Sequence, residues 1–373
     1  MAEYLRLNFP GRSYVGRGAI EQLGPEAAQL GSRALLVTGR KALAEAGITD
    51  RLTDILRDRG VDTVLFDDVP PEPDLQTVDD ARRRIVEDEC DLVVEAGGGS
   101  ALDAGKAAAA LAHEAEPTKA YHQGQKISTD GLPHIAVATT SGTGAEVTRN
   151  SVLIDAERHL KKSIRGEGFL PDVSVTDAEL TVSCPPPVTA GSGMDALVQA
   201  IESYLSRYSI PTTEALSLHA VKLIWANLPV AFGDGENLKA RAALAEGSYM
   251  AGLALGSARL GAVHGMAHPV GLVYEMPHGA VCAALMPPVL RQNVSAVPTK
   301  YERLSELLKA DPAEAMEGLL ERLNLPHELG PYPDAEGEKL ILDYALNSGS
   351  SAANPSEVNE AFVKSILRAA CSS

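Results

Sequence analysis

Apolar residues in the first half of the chain fall in short runs separated by stretches of helical spacing. Ser32 to Thr38 (SRALLVT), Val61 to Phe66 (VDTVLF), Asp91 to Glu95 (DLVVE) and His134 to Thr139 (HIAVAT) read as strands. Leu52, Ile55 and Leu56 mark one face of a helix between the first two runs, and helix signals flank the third. Strands alternating with helices predict a parallel sheet covered on both faces, with ligands at the carboxyl ends of the strands. From about Cys184 the pattern changes. The segment CPPPVTAGSG reads as a Pro/Gly-rich joint, and long helical patterns follow over Met194 to Tyr208, Thr213 to Leu228 and Leu238 to Leu255. The predicted architecture is an α/β, Rossmann-like domain over 1–183 and an all-helical domain over 184–373, with the cleft between them as the default site.

Composition narrows the function classes. The 373 residues carry 45% hydrophobic side chains, enough for a core in each of two domains. A formal charge of -17 disfavours nucleic acid and anionic membranes as partners. No run of 18 apolar residues predicts a membrane span, and the start MAEYLRLNFPGRSY lacks the basic-then-apolar pattern of a secretory signal. Cys90, Cys184, Cys282 and Cys371 are scattered without CxxC spacing, so neither a zinc ribbon nor a disulfide framework is expected. A reducing, cytoplasmic location is the expectation.

Two glycine loops stand at strand ends. Gly97-Gly98-Gly99-Ser100 follows the third strand and opens a helix, where glycines let a phosphate approach free N–H groups at the positive end of the dipole. Ser100 is the expected cap of that helix, with Asp103 in its first turn. The plain alternative is a tight strand-to-helix turn, but three consecutive glycines exceed what a turn needs. Thr139-Thr140-Ser141-Gly142-Thr143-Gly144 follows the fourth strand and suits contacts to phosphate and ribose. Neither loop fits the GxGxxG fingerprint, and GGGSALDAGK is not a Walker loop.

The helical half holds a metal-like constellation. Asp195 and Gln199, and His264 and His268, are each spaced i,i+4 and share a helix face, and His278 follows on an expected loop after Pro277. A carboxylate with two or more imidazoles suits zinc or ferrous iron, although each histidine alone is more often a satisfied polar residue.

Together these segments resemble the iron-containing (group III) alcohol dehydrogenases. The match runs through SYVGRGAIEQLG, GGGSALDAGK, TTSGTGAEVTRN, GMDALVQAIESYLS, GAVHGMAHPVG, MPHG and ANPSEVNEAF, nearly the whole chain. The resemblance implies the dehydroquinate synthase-like architecture of that family. It implies NAD or NADP on the α/β domain, a divalent metal (Fe2+ or Zn2+) on the helical domain, and hydride transfer between an alcohol and its aldehyde or ketone. A homodimer or higher homo-oligomer acting on a small-molecule alcohol or aldehyde is the expectation. By it, Gly98, Gly99 and Ser100 hold the pyrophosphate, Asp103 anchors the loop, and Thr139, Thr140, Thr143 and Thr148 line the ribose and nicotinamide side. Asn150 and Lys161 match further cofactor positions. Asp195, Gln199, His264 and His278 match the metal ligands, and His268 matches the histidine near the reacting centre.

Two positions depart from the family pattern. Gln199 stands where a histidine ligand is expected, and an amide oxygen binds metal more weakly than imidazole. Gly39 stands where NAD-preferring members often carry an Asp, with Arg40 and Lys41 beside it. Loss of that carboxylate removes the group that repels a 2′-phosphate, so use of NADP(H), alongside NAD(H), is expected. Arg259, close to the histidines in sequence, either binds an anionic substrate group or pairs elsewhere on the surface. The alternatives are a metal-independent reductase of an acidic carbonyl substrate, like the maleylacetate reductases, a cyclising lyase of the dehydroquinate-synthase type, and a nucleotide-binding protein without turnover. The scarcity of paired Lys/Arg near the histidines counts against the lyase.

Overall fold

The computed structural model describes residues 6–158 and 160–372. The first five residues of the segment read for a signal therefore lie outside the described residues. The chain forms two compact units, one over Asn8–Ser183 and one over Cys184–Ser373, and Arg6 and Leu7 group with the second.

The first unit runs β1 (Arg12–Val15), α1 (Leu23–Leu30), β2 (Arg33–Gly39), α2 (Ala42–Glu45), α3 (Ile48–Arg57), β3 (Asp62–Val69), α4 (Leu75–Glu87), β4 (Leu92–Gly97), α5 (Gly99–Ala110), α6 (Thr118–His122), β5 (His134–Ala138), β6 (Asn150–Asp155), β7 (Leu160–Arg165) and β8 (Val173–Thr176). Six strands form a parallel sheet in the order β1-β8-β5-β4-β2-β3. Side chains alternate across it, as the pleat requires. Leu36, Val94, Val137 and Val175 join Leu23, Leu52 and Leu56 in one core, while Leu35, Val37 and Val93 join Val78, Ala81, Ala104 and Ala108 in another. Burial on both faces explains why the central strands read as unbroken apolar runs. β3 lies beside β2 on one side and β4 lies beside β2 on the other, so the winding reverses between β2 and β4. That is the switch point at which open α/β sheets hold ligands.

The sequence reading left out β1, β8 and the antiparallel hairpin β6–β7. β1 is a short strand with largely exposed side chains, and β8 has only four residues. Neither gives a window long enough for a period to show.

The second unit is helical: α7 (Pro186–Leu205), α8 (Pro211–Gly233), α9 (Leu238–Ala258), α10 (Ala262–Tyr274), α11 (His278–Asn293), α12 (Pro298–Leu308), α13 (Pro312–Arg322), α14 (Ala335–Asn347) and α15 (Glu360–Ala370). A single cluster including Met194, Leu197, Ile224, Val263, Met266 and Leu285 forms its core. By length and composition α8 is apolar enough to cross a membrane. Its Ala220, Val221, Ile224 and Leu228 are buried in the helical core.

The start of α7 and the position of His278 differ from the sequence expectation. The CPPPVTAGSG segment begins at the division between the two units, but from Pro186 on it is the first part of α7 rather than an irregular linker. Pro185 is its N-cap, and Pro186 and Pro187 occupy the first turn, where a missing N–H costs nothing. Its glycines serve close packing. A Cβ at Gly193 would lie 2.3 Å from Leu228 Cδ1, and one at Gly279 would lie 2.2 Å from the Gly191 carbonyl oxygen. The Gly191–Gly279 approach brings the start of α11 against α7 one turn before Asp195. His278 opens α11 rather than sitting on a loop.

Candidate functional site

The carboxyl ends of β2, β4 and β5 lie side by side in the first unit, since β4 pairs with both neighbours. Each ends in one of the segments singled out by sequence. Gly97 ends β4 at φ +151°, and Gly98 is the N-cap of α5, so the helix starts with backbone N–H groups and no capping side chain. The loop after β5 packs directly on this turn. Thr139 N–H donates to the Gly97 carbonyl at 2.9 Å. A Cβ at Gly98 would stand 3.3 Å from Thr140, and one at Gly99 would stand 2.7 Å from Thr143 Cγ2. The run of glycines therefore lets two loops close on each other with the helix N-terminus still bare, as an anion site requires.

Contrary to the expectation from sequence, Ser100 does not cap α5. It lies inside the first turn, and its hydroxyl donates to the Pro71 carbonyl. Asp103 sits beyond the first turn and accepts from Val152 N–H at 3.0 Å, tying β6 to α5. Burial pushes its pKa up, against the pull of Lys106. Lys106, which ends GGGSALDAGK, carries no sequence signal of its own. It is fully buried, 3.3 Å from Asp103, and its ammonium donates to the carbonyls of Ala145 at 2.8 Å and Asn150 at 2.6 Å. It also lies 3.4 Å from Thr148 Oγ1. One buried cation thus fixes the segment from Ala145 to Asn150. Lys161 pairs with Glu72 at 2.7 Å. At the end of β2, a side chain on Gly39 would have open space, its nearest neighbour being the Val69 carbonyl at 4.0 Å. Arg40 pairs with Asp68 at 2.7 Å, both well exposed.

In the second unit three helices each present an i,i+4 pair. α7 carries Asp195 and Gln199, α10 carries His264 and His268, and α11 carries His278 and Cys282. Asp195 Oδ1 lies 3.0 Å from His264 Nε2 and 3.6 Å from His278 Nε2. Cys282 Sγ lies 3.9 Å from His264 Nε2 and 3.6 Å from His278 Nε2. The four donor atoms all fall within 4.8 Å of one another. The His268 ring stacks on His278 at 5.2 Å.

The sequence did not point to Cys282 or to Glu202. Cys282 looked like one of four scattered cysteines, yet its i+4 offset from His278 was a usable signal once His278 is helical. Glu202, seven residues after Asp195 on α7, accepts from His264 Nδ1 at 2.7 Å and from Val263 N–H at 2.7 Å. Gly261 gives α10 no side-chain cap, so the Glu202 carboxylate takes that place at the positive end of the helix. The same contact turns the His264 Nε2 toward Asp195. Such a carboxylate behind an imidazole is the usual partner of a metal-bound histidine.

The electrostatics follow from this crowding. Burial opposes the charge on Asp195, but His278, His264 and the Gln199 amide hold it below the ordinary carboxylate range. Burial likewise opposes the Cys282 thiolate, and the two imidazoles lower its pKa against it. Desolvation opposes protonation of His264, yet Cys282, Asp195 and Glu202 raise it well above the usual range. Gln199 Oε1 is buried without a hydrogen-bond partner. A buried orphan acceptor beside a compact set of N, O and S donors fits a divalent cation with its bound water or substrate.

Arg259 lies outside this cluster. Its guanidinium sits over the Tyr208 ring at 4.7 Å, which favours the surface reading over an anion-binding one.

Family models agree with both halves. Residues 10–178 match the iron-containing alcohol dehydrogenase model and residues 189–371 match the C-terminal model of the same family. The chain belongs to the iron-containing alcohol dehydrogenase family. It is 37% identical to 1,3-propanediol dehydrogenase of Citrobacter freundii over 99% of each chain. It is 36% identical to long-chain-alcohol dehydrogenase 1 of Geobacillus thermodenitrificans over 98% of this chain and 96% of the other. A solved structure of 1,3-propanediol oxidoreductase superposes with a TM-score of 0.93, at 35% identity, over 99% of this chain and all of that one. The chain is accordingly an oxidoreductase of the alcohol dehydrogenase type.

Proposed function

We propose that this enzyme interconverts a small primary alcohol and its aldehyde, with NADP(H) accepted alongside NAD(H) and a divalent metal held by Asp195, His264 and His278. The observation that carries the reading is the approach of the His264 and His278 Nε2 atoms to within 3.6 Å of the buried Asp195 carboxylate, backed by the Glu202 carboxylate. When bound, the nicotinamide exchanges the hydride and the metal acts as a Lewis acid toward the substrate oxygen.

The protein's own contributions can be assigned from its geometry. The bare N–H groups opening α5 receive the pyrophosphate, with Ser100, Thr140 and Thr143 at the rim. Thr139, Thr148, Asn150 and Lys161 border the same loops, shaped by Asp103 and Lys106. Gly39 leaves room at the ribose edge, and Arg40 can exchange its exposed Asp68 contact, worth only about 0–1 kcal/mol, for a 2′-phosphate. His268 is the proton carrier, placed by its stacking on His278. The buried Gln199 oxygen can accept a hydrogen bond from the substrate hydroxyl. Four free thiols support a reducing compartment such as the cytoplasm.

The test is Asp195→Asn. It should lower kcat/KM for aldehyde reduction by roughly a hundredfold or more while NADPH still binds, as followed by its fluorescence. Turnover close to that of the unaltered enzyme would contradict the assignment.

A further inference from the structure

Cys282 is the most informative group near this centre that the reading above leaves unused. It is fully buried, on the same face of α11 as His278. Its sulfur lies 3.6 and 3.9 Å from the Nε2 atoms of His278 and His264. In a tetrahedral zinc site with the usual bond lengths, neighbouring N, O and S donors stand about 3.3–3.6 Å apart. Four of the six separations here, 3.0, 3.6, 3.6 and 3.9 Å, fall within about 0.3 Å of that range, and all six lie within 4.8 Å. Gln199, one turn along α7 from Asp195, offers only a neutral amide oxygen. Its amide already donates to the Asp195 carboxylate.

We propose that Cys282 is the fourth protein ligand of the metal, bound as a thiolate, and that it biases the site toward zinc over ferrous iron. The inference rests on the metal site proposed above and goes beyond it in ligand set and metal. A thiolate is a softer and more strongly donating ligand than an amide oxygen, and among divalent ions it favours zinc and cobalt over iron. Metal uptake at such a site releases the thiol proton and the Nε2 protons of the ligating imidazoles to solvent, as the hydrated ion exchanges its waters for the four protein donors. Glu202 stays behind His264, so the set is Asp195, His264, His278 and Cys282.

The experiment uses the full-length protein, stripped of metal and loaded with cobalt(II). The unaltered protein should show a thiolate-to-cobalt charge-transfer band in the near ultraviolet in addition to the visible cobalt bands. Cys282→Ser should lose the first and keep the second. It should also bind zinc about 10- to 100-fold more weakly in competition with a chromogenic chelator. Its preference for zinc over ferrous iron should narrow. The cobalt spectrum of the unaltered protein does not depend on any variant folding. Bound cobalt without the near-ultraviolet band, or unchanged zinc affinity in Cys282→Ser, overturns the role of Cys282 and leaves the metal site standing. Failure of the unaltered protein to bind either ion overturns both.

Discussion

Glu202 accepts a hydrogen bond from Nδ1 of His264 at 2.7 Å, and this contact sets which ring nitrogen faces Asp195. It also places a negative charge at the start of α10. Glu202→Gln keeps an acceptor there but removes the charge. Zinc affinity is expected to fall about 10- to 100-fold, with far-ultraviolet circular dichroism unchanged. Unchanged affinity in a chelator competition would show that the carboxylate serves only the helix end.

The cofactor prediction concerns Gly39 and Arg40. An Asp side chain fits at 39, since a Cβ there meets nothing closer than 4.0 Å. Gly39→Asp should shift the ratio of kcat/KM for NADP(H) over NAD(H) toward NAD(H) by about tenfold or more, because a carboxylate repels the 2′-phosphate and accepts from the 2′-hydroxyl. Arg40→Ala should move the ratio in the same direction by weakening NADP(H) alone. A strong NAD(H) preference in the unaltered enzyme would sink this part of the reading.

Glu146 gives a pH-dependent stability. It is buried in the loop after β5, and burial pushes its pKa up to about 7 against weaker opposing effects from its own backbone and Lys106. An unfolded glutamate titrates near 4.5. Below that pH both states are protonated and nothing is lost. As pH rises from 4.5 to 7 the unfolded chain releases a proton that the folded chain retains, so stability falls, and the full penalty stands above 7. Its size is on the order of 3 kcal/mol. Glu146→Gln should therefore raise Tm at pH 8 and leave it nearly unchanged at pH 4.5. An equal gain at both values would point to a cause other than ionisation.

Arg259 ends α9 at φ 63° and ψ -174°, a region open to glycine and strained for other residues. Arg259→Gly and Arg259→Ala both lose the stacking on Tyr208, so their difference isolates the backbone. The Gly variant should be more stable than the Ala variant by about 1 kcal/mol in urea unfolding. An Ala variant at least as stable would contradict the strain.

The parallel sheet and its two glycine loops were legible because burial on both faces makes long apolar runs and because Gly97 to Gly99 serve one geometric need. The helical half was legible in its α7 to α9 patterns but not at its start. A Pro/Gly-rich stretch reads as a joint, whereas Pro186 and Pro187 begin a helix. The same habit put His278 on a loop. Ser100 looked like a cap, yet the helix begins one residue before it. Asp195, His264 and His278 announced themselves by residue type and spacing. Glu202 did not, because His264 lies 62 residues away, and neither did the carbonyl partners of Lys106, the nearer of them 39 residues away, which only packing supplies. Cys282 was hidden because its i,i+4 partner His278 does not read as helical after Pro277.

Metal assistance centred on Asp195, His264 and His278 is tested most directly by pairing elemental analysis of the purified protein with alcohol-dependent formation of NADPH or NADH before chelation, after chelation, and after restoring zinc or ferrous iron. About one metal ion per chain, activity lost on chelation and recovered on metal addition is the expected result. Undiminished turnover by protein stripped of metal would contradict it.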